Sequence, residues 1–404
     1  MDQPRRPTAI GSKAWIATLA ALTAVVALSI DMSLPAQPTL AETFDVPSET
    51  AQLTLSVFLF GFGCAQLVVG YLADSWGRRP VLLGGLALFT LGGIACAVSP
   101  CIEVLIACRV LQGIGAAGPP VVARAMVRDT QPPSHAARLL STMLAALAIA
   151  PMIAPLIGSG LLAVFGWRAI FATLAGCGAV LFVLARFTLT ETLALERRRA
   201  ASPRGLLRNF RQFFATPGTR LPLLIGCASF AGQFAYIADS PFVLMGGYHV
   251  SRIEFSIYFG STALALMIGS LTGGQILRAG RSPRAMVVTG ALLLLLGGVL
   301  VTIGTRIDEL GIVGFLPPMI VYFFGVGIAS PSATALAMDP VPQIAGTASA
   351  ALGFMTMMSG ALAGYETTKI GGSSPRTFAL VVLVMGAVAA VLAGATALVR
   401  RHPR

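Results

Sequence analysis

Three charged residues stand inside stretches of the sequence that are otherwise apolar: Asp31 in VALSIDMSLP, Arg109 in LIACRVLQGIG and Asp239 in AYIADSPFVL. An ionised group in a hydrocarbon setting costs about 2.5–3.5 kcal/mol on insertion scales, so a retained one needs a reason. The chemistry these types offer is proton transfer. A carboxylate takes up and releases a proton, and a permanent guanidinium nearby shifts its affinity for that proton. A second group is GYLADSWGRRP, running from Gly70 to Pro80, in which Asp74 precedes Arg78 and Arg79. Gly70 and Gly77 permit a tight turn there, and with Arg128 and Asp129 the charges suit a network tying helix ends together. Other chemistry is thin. Cys64, Cys96, Cys101, Cys108, Cys177 and Cys227 show no metal-ligand spacing, and His135, His249 and His402 do not cluster. No glycine-rich phosphate loop with its Lys and Ser/Thr is present. The expectation is therefore no metal, no cofactor and no enzymatic centre.

The elements that must position these residues follow from composition. Charged residues are 11% of the 404, against about 25% in a soluble protein, and mean hydropathy is +0.82. A water-soluble surface cannot be built from this chain. A bilayer-spanning helix needs about 20 mostly apolar residues, and twelve such stretches are present. They fall near 14–34, 50–72, 80–99, 102–125, 138–163, 168–188, 221–244, 254–277, 285–304, 312–336, 345–366 and 377–399. An even number puts both termini on one side. With that side cytoplasmic, 22 Lys and Arg fall inside and 5 outside, and Arg109 falls within a span. This positive-inside bias accounts for the net charge of +12 without nucleic acid. The first stretch carries Asp31 and lacks a small-residue cleavage site, so it reads as a retained span and not as a signal peptide.

The long polar segment, residues 191–220, holds seven Arg and two Glu. It reads as a cytoplasmic linker whose charges sit near anionic headgroups. Its RGLLRNFRQFF stretch reads as an interfacial helix with Phe210, Phe213 and Phe214 turned toward lipid. The linker separates an N-terminal half, 1–190, from a C-terminal half, 221–404. Gly70, Gly77, Arg78 and Pro80 recur as Gly273, Gly280, Arg281 and Pro283, a shift of 203 in a chain of 404. That shift points to duplicated six-helix halves, an architecture of transporters with a substrate site near the bilayer midplane. The fold class is all-α, twelve transmembrane helices in two halves.

On these residues the chain resembles the major facilitator superfamily. The Gly70–Arg79 segment is similar to its signature loop, and LIACRVLQGIGAAG, with Arg109, Gln112, Gly113 and Gly115, to the arginine motif of proton-coupled members. IAPMIAPLIGSG in span 5, with Pro151, Pro155 and Gly158, resembles the antiporter motif, although Ala154 and Ser159 stand where that motif has glycine. DMSLPAQPTLAETF, LSVFLFGFGCAQLVVG, AYIADSPFVL and AGTASAALGFM resemble the bicyclomycin-resistance (Bcr/CflA) branch of drug exporters.

The resemblance implies proton-coupled efflux of small, amphipathic or lipophilic drug-like molecules. The proton gradient would be the energy source, and the protein a monomer in the bacterial inner membrane among lipid. It gives Arg109 and Asp31 the coupling roles and the Gly70–Arg79 segment, with Arg128 and Asp129, that of a cytoplasmic gate. Asp31 also reads as a polar end of span 1. Asp239 departs from the branch, where a small uncharged residue is usual; it reads either as a second proton site or as a cap before Ser240 and Pro241. Substrate-lining candidates are Gln52, Gln112, Gln233, Tyr236 and Met355. A symporter or facilitator importing a small metabolite on the same fold is the alternative.

Overall fold

Inside a bilayer every backbone N–H and C=O must be satisfied by protein, which leaves the helix as the form open to separate apolar segments. The computed structural model describes residues 10–198, 203–371 and 374–398, and among these there is no strand. Arg5, Arg6, Arg199, Arg400, Arg401, His402 and Arg404 lie outside the described residues. The helices are α1 Lys13–Asp31, α2 Gln37–Phe44, α3 Ser48–Trp76, α4 Arg78–Ala97, α5 Ile102–Thr130, α6 Pro133–Phe165 and α7 Trp167–Thr188. They continue as α8 Pro203–Ala215, α9 Arg220–Pro241, α10 Arg252–Arg278, α11 Pro283–Gly304, α12 Leu316–Met338, α13 Ala345–Gly371 and α14 Pro375–Leu398. Among the described residues, twelve helical stretches are long and apolar enough to cross a membrane, each matching a span read from the sequence.

Ends are set by local chemistry. Ser12 and Ser282 accept from backbone N–H groups of their first turns, and Ser251 forms a capping box with Glu254. Gly77 joins α3 to α4 as a single residue at φ 108°, and its counterpart in the repeat, Gly280, has φ 89°. Both take the left-handed region that glycine tolerates.

Contacts divide the chain into two compact units, one taking residues up to Ser33 and Phe60–Ser202, the other Leu34–Leu59 and the chain from Pro203. In the first, Gly85 and Gly92 of α4 meet α5, and Gly93 meets Ala175 of α7. In the second, Gly290 and Gly297 of α11 meet α12, and Gly298 meets Leu383 of α14. The same three glycines recur 205 positions on, each where a side chain would keep two helices apart. The division falls within α3, so the first part of that helix packs with the second unit, whereas the sequence reading kept it in the first half. Polar pairs fasten it: Ser56 donates to the Ala361 carbonyl of α13 at 2.9 Å, and Gln37 of α2 donates to Thr54 at 3.2 Å.

The linker helix α8 corrects one expectation. Phe213 does not face lipid; it is fully buried among Leu223, Cys227, Ala337, Val341, Ala348 and Leu352, and Phe210 packs against the same cluster. Only Phe214 of the three has its ring toward the outside. The amphipathic pattern marked a face that avoids water, and protein rather than lipid covers most of it.

Candidate functional site

The first charged residue of interest is set by three helices of the first unit. Arg109, on α5, is fully buried. Its Nη1 donates to Gln112 Oε1 at 2.7 Å, its Nη2 donates to the Ser29 carbonyl of α1 at 3.3 Å, and Phe171 of α7 lies with its ring centroid 5.6 Å from the guanidinium carbon. Gln112 is itself fully buried, one turn along from Arg109 and against Gly92 and Gly93. Its Oε1 is engaged by Arg109, and its buried Nε2 has no partner among the described residues.

Asp31 is the last residue of α1 and is buried. At a rise of about 1.5 Å per residue it stands about 3 Å along the axis from Ser29, whose carbonyl Arg109 grips. A helix C-terminus is the negative end of the backbone dipole, so a carboxylate there gains nothing from the helix. Just beyond it, Met32 meets α6: a Cβ on Gly158 would land on the Met32 carbonyl oxygen. The glycine of the span 5 motif, on α6, is thus the point where that helix closes on the end of α1. Pro155 is buried and Pro151 half-buried in the same helix.

Asp239 occupies the second unit. It is not a cap of a broken segment, because α9 runs on through Pro241 and then widens into a π-helical turn, Phe242–Gly247; such turns recur at functional sites. The carboxylate is buried and its Oδ1 accepts from the Thr368 hydroxyl of α13 at 3.2 Å. One turn away at Gly364, the Gln52 amide, Ala238 and Phe234 crowd together. Gln52 donates to Ser56 at 2.9 Å, and its buried Oε1 has no partner among the described residues.

The remaining lining candidates are dispersed. Tyr236 is enclosed by Phe259, Phe315, Phe323 and Phe378, Gln233 is half-buried, and Met355 packs on the Phe213 cluster.

The charge network at the α3–α4 turn is built within the first unit. Arg78 bridges two carboxylates, Asp74 of α3 at 2.5 Å and Asp129 of α5 at 2.8 Å, and Arg79 donates to the Arg186 carbonyl of α7 at 2.6 Å. Arg128 is exposed and joins none of these bonds. Gly70 has open space beside it. Sequence reasoning missed Glu191. Its carboxylate accepts from the backbone N–H of Arg78 at 2.9 Å and of Arg79 at 3.1 Å, capping α4 from 113 residues away, and it pairs with Arg198 at 3.8 Å. Thr192 adds a bond to Asp129 at 3.2 Å. The available signal was an absence: α4 begins after a glycine that offers no side-chain cap, leaving N–H groups that something must satisfy.

Residues 19–365 match the Major Facilitator Superfamily. The chain belongs to that superfamily. It is 31% identical to "Multidrug resistance protein D" of Escherichia coli (strain K12), over 85% of this chain and 86% of the relative. It is 28% identical to "Bicyclomycin resistance protein homolog" of Haemophilus influenzae, over 91% and 92%. These relatives agree with the branch read from the sequence. The fold is similar to that of the xylose transporter XylE from E. coli, at a TM-score of 0.74 with 14% identity, covering 96% of this chain and 98% of that one. At that identity the likeness is one of fold alone. Family and helices together make this superfamily member a multi-pass transporter of a bacterial membrane.

Proposed function

We propose that this protein exports small, amphipathic or lipophilic drug-like molecules across the bacterial inner membrane in exchange for protons, by alternating access with both termini cytoplasmic. The names of its relatives, a multidrug resistance protein and a bicyclomycin resistance protein homolog, support the substrate class. The observation that carries the coupling is Arg109: a buried cation gripping the α1 carbonyl two residues before a buried acid. Taking up a proton removes the charge of Asp31, and losing it restores a buried anion at the end of the helix whose Ser29 carbonyl Arg109 holds. Substrate and proton then compete for one region, with Asp239 as a second exchangeable acid in the other unit. One proton moving down about 100 mV supplies about 2.3 kcal/mol and one pH unit about 1.4 kcal/mol. Together they sustain several-hundredfold accumulation of a neutral substrate. The Arg78–Asp74–Asp129 network, held by Glu191, serves as the cytoplasmic gate, and no cofactor is required.

Two substitutions test this reading. Arg109→Ala is expected to abolish proton-coupled efflux at unchanged membrane expression, and Asp31→Asn to flatten the dependence of efflux on pH. A pH-dependent efflux rate equal to that of the parent in Arg109→Ala would overturn the coupling role.

A further inference from the structure

Close to Asp239, the second unit holds a buried acceptor that the transport reading leaves unused. It is the side-chain oxygen of Gln52, a fully buried residue on the part of α3 that packs with this unit. The bonds of a neighbour fix which end of the amide points where. Ser56 has one hydroxyl proton and gives it to the Ala361 carbonyl of α13 at 2.9 Å, so toward Gln52 it can only accept. It does so from Nε2, at 2.9 Å. Oε1 is thereby turned away from Ser56, and it has no partner among the described residues. A buried acceptor without a donor is destabilising, which points to a donor that arrives.

Three helices of the unit gather polar groups around one residue, Gly364 of α13. A Cβ there would lie 2.8 Å from Gln52 Nε2 and 3.1 Å from Ala238 Cβ, so the missing side chain lets the α3 amide reach α9 beside Asp239. The Thr368 hydroxyl, one turn on, is 3.1 Å from the Gly364 carbonyl and 3.2 Å from Asp239 Oδ1. It has one proton for two acceptors. Asp239 forms no ion pair among the described residues. The other ionisable groups on the helices around it are engaged or turned elsewhere. Tyr236 of α9 and Tyr322 of α12 pack in the aromatic core against Phe323, and Arg376 of α14 pairs with Asp308. On α13, Lys369 sits over the Tyr365 ring and Glu366 is exposed; on α3, Glu49 is half-exposed. With no cation beside the carboxylate, a proton is the donor that needs no added space.

We propose that Gln52 is the positioning residue for the protonated form of Asp239, its Oε1 accepting from the carboxyl O–H across Gly364. The proposal rests on the reading of Asp239 as a second exchangeable acid and names the residue that holds its proton. On uptake, a proton from water forms the O–H bond of the carboxyl, that O–H donates to Gln52 Oε1, and the Thr368 hydroxyl keeps the Gly364 carbonyl as its acceptor. On release the O–H bond breaks and the proton returns to water. The carboxylate then accepts from Thr368 and Oε1 is left open, which is the arrangement in this structure. A neutral carboxyl is a donor and a carboxylate is not, so Gln52 favours the loaded state alone.

The test is an infrared titration of the full-length protein in lipid bilayers, reading the C=O stretch of protonated carboxyls across pH. Asp239→Asn identifies the band of this acid by its loss. Gln52→Met fills similar space without an acceptor. It is expected to move that band to higher frequency, as happens when a carboxyl O–H loses its acceptor, and to lower the pH of half-protonation by about one unit, a tenfold loss of proton affinity. Ser56→Ala, which leaves Oε1 in place, is expected to keep both close to the parent values. Should Gln52→Met fail to assemble, carbon-13 labelling of the glutamine side chains in the parent reads the same bond: one amide C=O band is expected to fall in frequency as Asp239 protonates, and to be independent of pH in Asp239→Asn. If no carboxyl band is lost in Asp239→Asn, the reading of that acid is overturned and this proposal with it. If the band titrates in the parent and keeps its frequency and midpoint in Gln52→Met, or if no amide band follows it, the role of Gln52 alone is overturned.

Discussion

Arg109 and Gln112 form a unit in which each residue has one task. The guanidinium supplies a fixed positive charge, and the amide oxygen at 2.7 Å aims it. Removing a partner from a buried charged donor costs about 1–3 kcal/mol or more, so Gln112→Leu is expected to lower the efflux rate by tenfold or more. Gln112→Glu, which keeps an acceptor for Arg109, is expected to retain more activity than Gln112→Leu; equal loss in both would show that the residue only fills space. Asp239 separates along similar lines. Asn at that position still accepts from Thr368 but cannot exchange a proton at transport pH, so Asp239→Asn is expected to preserve stability while changing the pH profile or the preference for cationic substrates. Efflux assays with neutral and cationic compounds across pH check it, and an unchanged profile and preference would leave Asp239 a structural residue. The acids and Arg109 were legible in the sequence because a charge in an apolar run is conspicuous. Gln112's task was not, since glutamine in a span carries no comparable penalty and its orientation depends on which neighbours close around it.

At the scale of elements, the α3–α4 turn shows how a distant carboxylate completes a motif. Gly77 leaves no room for a side chain, since a Cβ there would meet Glu191 and Arg198, and the first N–H groups of α4 are satisfied only because Glu191 is threaded beside them. Glu191→Ala removes both the cap and a negative charge from the positive end of a helix, worth about 1–2 kcal/mol. Thermal unfolding in detergent is expected to show that loss, with a midpoint below that of the parent; an unchanged midpoint would mean that water replaces the carboxylate without cost. The glycines and arginines of this turn were readable from their spacing, but Glu191 was not, because an acid in a polar linker costs nothing and announces no partner. The linker helix gives the complementary lesson. Its periodicity placed Phe213 on a shielded face, yet periodicity alone does not distinguish a lipid tail from Ala348 or Leu352 as the shield. By contrast, Gly158 could be read from a motif, and the structure supplies its reason in the Met32 carbonyl that a side chain would strike.

For the whole molecule, twelve spans and a duplicated plan were legible because hydropathy and charge bias are written along the chain, while the duplication recurs as Gly85, Gly92 and Gly93 against Gly290, Gly297 and Gly298. The division by contact was less legible, since Ser56 and Gln37 reveal their partners only once the helices are packed. The central claim concerns direction and energy source: protons enter as drug-like molecules leave. In everted membrane vesicles, where the cytoplasmic face is outside, a panel of fluorescent lipophilic compounds is expected to accumulate in the lumen when the lumen is acidified, and each addition of transported compound to release protons from it. Collapsing the gradient with a protonophore should abolish both signals, as should Arg109→Ala. Undiminished accumulation after the gradient is collapsed, or proton movement in the same direction as the compound, would contradict the account.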